Sequence, residues 1–237
     1  MLATIVLAHG AWSSAWAWKK VRPLMAAAGH QFFTPSYTGL GEREHLANPS
    51  IDLSTHVNDV LGVIETEELK DLVLLGHSYG GMVATGVAVK VPQKIAHLIY
   101  LDAFVPKNGQ SLSDLVPPEQ AKRMKEGTAK NDGWRLPPNP TPTDTPPQDV
   151  EWVSRHRRAQ PLKCFEQKLE FTAEPSMPRA FIQCMNYPDG PFGQFAARAK
   201  SEKGWKSYEI ATSHSPNVTA PEALMKVLTQ VIAERDK

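Results

Sequence analysis

"DLVLLGHSYGGMVATGVAVK", residues 71–90, sets an apolar, β-rich run directly before a G-x-S-x-G pentad and a small-residue helical stretch. Ser78 lies between Gly76 and Gly80, two residues away on either side. A chain of this length shows such a pentad by chance at about 0.07, so the pattern alone is weak. Its setting sharpens it, because strand, turn and helix in immediate succession present a serine at the tip of a sharp turn. Side chains two residues either side of that serine would collide, which accounts for the glycines. Gly81, Ala84, Gly86 and Ala88 then let the helix pack closely on the sheet.

Working outward, short apolar runs alternate with helical patterns. Residues 3–10, 30–36, 71–78, 96–106, 178–188 and 206–214 read as six strands. Residues 15–28 read as a helix closed by Gly29, with Pro23 interrupting its second half. Leu53, Val57, Val60, Leu61 and Ile64 have the i, i+3/i+4 spacing of an amphipathic helix. Leu224, Val227, Leu228, Val231 and Ile232 mark a last one. Buried strands alternating with helices predict an α/β fold, a parallel sheet covered on both faces. Residues 106–175 break the rhythm with the run "LPPNPTPTDTPPQD" (136–149), flanked by polar helical patterns near 117–127 and 150–171. That proline density precludes a continuous helix or central strand. The segment is expected to form a cap over the strand ends, within a single domain spanning 1–237.

The bulk numbers set bounds. The 237 residues are 41% hydrophobic and 22% charged, the range of a soluble globular chain. Lys plus Arg is 26 against 25 for Asp plus Glu, which supplies no electrostatic reason for nucleic acid or an anionic membrane as partner. The apolar N-terminus is too short for a membrane span and reads as a buried strand. Cys164 and Cys184 lack CxxC spacing and are expected to be reduced thiols of a cytoplasmic protein. No His/Cys/Asp cluster has metal spacing, so neither metal nor cofactor is expected.

A serine hydroxyl needs a base to take its proton. Among eight histidines, His214 stands at the end of a predicted strand and just before the last helix, on the rim where Ser78 is expected. His77, inside the turn, should point away from Ser78 and serve structure. A carboxylate must then fix the imidazole tautomer. Asp102 in "LIYLDAFVP" and Asp189 in "NYPDGPF" both end strands. Asp102 is preferred, because it closes an apolar run where an unpaired carboxylate would be costly, while Asp189 suits its turn for local reasons. Oxyanion donors would be the Tyr79 N–H, at a helix start, and the N–H of Ala11 or Trp12 in "HGAW". Trp12, Trp134 and Trp152 are candidates for lining the substrate pocket. "GLGERE" (39–44) lacks nucleotide-loop spacing and is read as pocket rim.

"VLAHGAWSSAWAWKKVRPLMAAAGH", "GHSYGGMVATGVA" and "LIYLDAFVP" resemble the α/β-hydrolase superfamily, in particular its bacterial esterase branch related to plant methylesterases and hydroxynitrile lyases. The resemblance implies a mostly parallel six-stranded sheet flanked by helices, with a cap inserted after the fourth strand. It also implies Ser78 as nucleophile, His214 as base, and the Ala11 and Tyr79 amides as oxyanion donors. Plant relatives place the acid near Asp189, whereas haloalkane dehalogenases of this fold can place it where Asp102 stands. Bacterial relatives read His-Asp-Ala-Met after the base; this chain has "SHSPNV", which alters the neighbourhood of His214. The implied activity is hydrolysis of a small-molecule ester, with carbamate esters or amides as variants. Hydroxynitrile lyases set a lysine after the histidine and an acid in place of His77, where this chain has Ser215 and His77. A ligand-binding receptor on the same fold, retaining the triad with little turnover, is the alternative from another class.

Overall fold

The computed structural model describes residues 2–187 and 190–234. Strand β1 (Thr4–Ala8) leads through a 3-10 turn (Ala15–Trp18) into α1 (Val21–Ala27) and then β2 (Gln31–Phe33). Helix α2 (Leu53–Thr66) precedes β3 (Leu72–His77), α3 (Gly80–Lys90) and β4 (Ile95–Leu101). The chain then leaves the sheet for α4 (Pro118–Ala129), β5 (Arg135–Leu136), α5 (Pro147–His156), β6 (Gln160–Pro161) and the single turn α6 (Lys163–Glu166). It returns with β7 (Arg179–Cys184), α7 (Gly193–Ser201), β8 (Trp205–Ile210), the turn α8 (Pro216–Thr219) and α9 (Pro221–Ala233).

Six strands form one sheet in the order β2-β1-β3-β4-β7-β8, every pairing parallel. Period-two alternation divides its side chains between two cores. Val6, Leu74, Leu98, Tyr100 and Phe181 face one, with α2, α3 and Phe165. Ile5, Leu7, Val73, Leu75, Ile99 and Ile182 face the other, with Met25, Leu224, Leu228 and Val231 of α1 and α9. Over the four inner strands β1, β3, β4 and β7 both faces are thus dry, which is why these read as continuous apolar runs. Cys164 and Cys184 are free, buried and on opposite faces of the sheet. Burial pushes both thiols up, leaving them protonated and inert.

Three elements differ from the sequence expectation. The helix expected over 15–28 is a 3-10 turn followed by α1, and Pro23 falls in the first turn of α1 rather than in a second half. Its missing N–H has no intrahelical partner to lose there. The helical pattern expected over 150–171 runs from Pro147 and stops at His156. Gln160 and Pro161 instead pair antiparallel with Leu136 and Arg135, since Pro161 cannot continue a helix. Helix α7 was not anticipated; its short apolar stripe, Phe195, Ala196 and Ala199, is buried. The proline-rich run behaves as expected, with Pro146 and Pro147 opening α5 where no N–H is required.

Gly80 shows how tightly the turn after β3 is packed. A Cβ there would lie 1.9 Å from the Ala8 carbonyl oxygen, and one at Gly76 would lie 2.9 Å from the Gly80 carbonyl oxygen. Gly80→Ala is expected to destabilise the fold by at least about 3 kcal/mol, because the obstacle is backbone that cannot rotate aside. Thermal unfolding checks this; a melting temperature equal to that of the unmodified chain would contradict it.

Candidate active site

Ser78, Asp102 and His214 follow the carboxyl ends of β3, β4 and β8, the rim where parallel sheets gather functional groups. Two of them sit on strained backbone. Ser78 has φ 57° and Asp102 φ 42°, both in the left-handed region. Main-chain bonds to neighbouring strands and to the chain after β4 hold these conformations. Ser78 N–H donates to Leu101 C=O at 3.3 Å, Phe104 N–H to Ser78 C=O at 3.1 Å, and Asp102 N–H to Ile182 C=O at 2.8 Å.

The side chains form a continuous chain. Ser78 Oγ lies 3.0 Å from His214 Nε2, and His214 Nδ1 lies 2.7 Å from Asp102 Oδ2. Cys184 N–H donates to the other carboxylate oxygen, Oδ1, at 3.2 Å. Asp102 is 1% exposed, and these two donors compensate its burial. Because the carboxylate accepts from Nδ1–H, Nε2 carries the lone pair and the serine hydroxyl donates to it. The alternative acid, Asp189, lies outside the described residues.

The His214 ring is walled by aromatics. Phe192 stacks on it at 4.7 Å and 7°, and Tyr187 at 5.1 Å and 29°. Neither is among the sequence candidates; Tyr187 closes the fifth predicted strand and Phe192 follows it, and that nearness to the rim is their only signal. The His77 ring lies 5.0 Å from the His214 ring. Its Nε2–H donates to the His214 carbonyl at 2.8 Å and so holds the His214 main chain.

The loop after β1 lies against the serine: a Cβ on Gly10 would sit 3.3 Å from Ser78 Cβ. Its backbone is pinned by His9, whose Nδ1–H donates to Gly10 C=O at 2.9 Å. His9 Nε2 in turn accepts the Tyr37 N–H at 3.3 Å. The Gly10 carbonyl and the Ala11 N–H belong to one trans peptide plane and point oppositely, so this bond aims the Ala11 N–H as well. Among the described residues, neither the Ala11 nor the Tyr79 N–H donates to a turn or loop carbonyl or to a side chain. The Trp12 N–H is committed to Gln160 Oε1 at 2.9 Å. Tyr79 is anchored through its hydroxyl, which donates to His56 Nδ1 at 2.9 Å.

The candidate pocket tryptophans are placed differently from one another. Trp12, in the loop after β1, tilts against Phe165 at 5.8 Å. Trp152 meets Trp16 edge-on at 5.3 Å and carries Lys19 at 3.6 Å over its ring. Trp134 carries Arg135 at 4.8 Å. The 39–44 segment ties to the chain beyond β4 through a Glu44–Arg158 ion pair.

His9, His56 and His77 are each lowered from 6.5 to about 3, chiefly by burial. All three are neutral in the folded chain above that value. Between about 3 and 6.5 the unfolded chain binds more protons, so stability rises with pH across this window and falls as acid is added. Three such groups give a slope of up to about 4 kcal/mol per pH unit. Melting temperature is therefore expected to be flat above pH 7 and to drop steeply below pH 6. A flat profile from pH 7 to 4 would contradict the burial of these rings.

Among the described residues no His, Cys, Asp or Glu group could hold a metal ion, and no helix is long and apolar enough to cross a membrane. A parallel sheet whose rim carries a serine, a histidine and a buried aspartate in one hydrogen-bond chain is the arrangement of a class of hydrolases. Residues 5–227 match the alpha/beta hydrolase family model. The chain is 37% identical to a carbendazim hydrolyzing esterase of Nocardioides sp. (strain SG-4G), covering 96% of this chain and 98% of that one. It is 26% identical to putative methylesterase 15, chloroplastic, of Arabidopsis thaliana, covering 95% of this chain and 56% of that one. An extracellular alpha/beta-hydrolase from a Paenibacillus species superposes with a TM-score of 0.83 at 24% identity, covering 96% of this chain and 98% of that one. The chain belongs to the alpha/beta hydrolase family and is an esterase-type hydrolase. Neither the lyase nor the receptor alternative is favoured by these relatives.

Proposed function

We propose that this chain hydrolyses carboxylic and carbamate esters of small molecules through an acyl-enzyme on Ser78. The observation that carries the reading is the unbroken Asp102–His214–Ser78 hydrogen-bond chain of 2.7 and 3.0 Å. As Ser78 Oγ bonds to the ester carbonyl carbon, its proton passes to His214 Nε2. Asp102 holds the imidazole in the accepting tautomer and stabilises the imidazolium. The carbonyl oxygen takes the developing charge toward the Ala11 and Tyr79 amides, the latter at the start of α3. The C–O bond to the alcohol then breaks, and the imidazolium returns its proton to the departing oxygen. Water, deprotonated by His214, attacks the acyl or carbamoyl carbon and releases Ser78 with its proton restored.

Carbamate esters fall within the proposal because the Nocardioides relative is named for hydrolysing carbendazim. Residues 106–175 serve as the cap of a single 1–237 domain and shape the space above Ser78. The reading places the protein in the cytoplasm, on its two free, buried thiols.

A fluorophosphonate probe with a parallel turnover assay on an aryl ester and a methyl carbamate tests the reading. Labelling of Ser78 with turnover supports it. Labelling without turnover on either substrate favours a receptor, and no labelling of folded protein overturns the hydrolase.

A further inference from the structure

Trp12 is the third residue of the site in the left-handed region, with φ 56°, and the segment between β4 and β7 holds it at three points. Its N–H donates to Gln160 Oε1 at 2.9 Å. Its C=O accepts the Arg158 N–H at 3.2 Å. Its indole Nε1–H donates to Leu136 C=O at 3.0 Å. Leu136 and Gln160 face each other across the β5–β6 ribbon, so the ribbon makes two of the bonds and Arg158, two residues before Gln160, makes the third. The same segment is tied to the main body by Lys20, which pairs with Asp149 at 2.5 Å and donates to Val218 C=O at 3.1 Å, four residues after His214.

Ala11 is therefore bracketed. The peptide before it is fixed from the core by His9, and the N–H of the peptide after it is fixed by Gln160. Gln160 is fully buried, which fixes where its oxygen stands. Without that acceptor, a strained residue one position from the oxyanion donor loses the partner of its N–H and has a reason to relax.

We propose that Gln160 is a positioning residue that, by accepting the Trp12 N–H, makes the cap segment part of the oxyanion site and holds the Ala11 N–H toward the reacting carbonyl. The proposal rests on the esterase reading above. It gives the cap a part in the chemistry besides enclosing substrate: a cap lifted from the sheet would also loosen an oxyanion donor.

The test compares the full chain with Gln160→Met, which keeps the shape and removes the acceptor, and Gln160→Glu, which keeps an acceptor at the same reach. With 4-nitrophenyl acetate, Q160M is expected to lose about 10- to 100-fold in kcat with KM within about threefold, the sign of an interaction made in the transition state. Affinity for phenylboronic acid, whose adduct on Ser78 places an oxygen in the oxyanion site, should fall in the same proportion. Q160E is expected to recover at least about tenfold over Q160M. Where Q160M does not fold, Gln160→Asn withdraws the acceptor by one methylene and should show the same kcat loss. The proposal is overturned by a variant lacking the acceptor that keeps kcat within twofold, by boronic acid affinity that is unchanged, or by a Q160E as slow as Q160M. Wild-type turnover on the same ester is measured alongside, so a failure of the esterase reading is seen separately.

Discussion

Replacing Ser78 by alanine is expected to lower kcat by about 10⁵- to 10⁶-fold on any ester the chain turns over, with the fold intact. The effect is large because the oxygen that forms the acyl bond is gone, and His214 is left with only water to activate. A residual rate of about 10³–10⁴ over uncatalysed hydrolysis should persist, since the oxyanion amides remain. Stability should change little. Both serine and alanine carry a Cβ at φ 57°, so the substitution adds no backbone strain, and the Ser78 main-chain bonds to Leu101 and Phe104 survive. Steady-state kinetics with circular dichroism check this. A folded S78A that keeps more than about 1% of kcat would contradict the assignment.

Asp102→Asn carries the second-largest expected effect, a loss of about 10⁴ in kcat. Asparagine can present its Nδ2–H₂ to His214 Nδ1, which shifts the ring proton to Nε2, and a protonated Nε2 cannot take the serine proton. The amide still offers an oxygen to the Cys184 N–H, now 3.2 Å from Asp102 Oδ1, so the fold should tolerate the change. Asp189→Asn should stay within about threefold of the unmodified chain, well short of a triad-acid loss. The opposite pattern, a large loss at Asp189 and a small one at Asp102, would transfer the acid role. Paired kcat measurements on the two variants decide it.

Much of this site was legible because it is local. The serine, its flanking glycines, the strand before and the helix after fall within residues 71–90, and each glycine answers a contact with backbone a few ångströms away. His214 could be found from its position at a strand end. The choice of acid was harder, because two aspartates follow predicted strands and the sequence does not show the bend at Asp102. Asp102 turns back at φ 42°, so its carboxylate meets the imidazole directly after β4, and no residue type announces that bend.

What escaped the sequence is what depends on distance along the chain. Gln160 and Trp12 are 148 residues apart and joined by one hydrogen bond. Their pairing required the proline-rich segment to fold back as a ribbon, where periodicity suggested a continued helix. Phe192 and Tyr187 similarly reach the His214 ring from residues between β7 and α7, beyond where the strand expected over 178–188 ends at Cys184. The four inner strands, by contrast, were visible as apolar runs because the sheet buries both of their faces.

The central claim is that hydrolysis passes through a covalent intermediate on Ser78. Rapid quenching during turnover of a 4-nitrophenyl ester, followed by peptide mass spectrometry, tests it most directly. The account predicts a burst of 4-nitrophenolate stoichiometric with protein and an acyl mass on the peptide carrying Ser78. Turnover with no burst and no acylated peptide, or an acyl group on another residue, would contradict it.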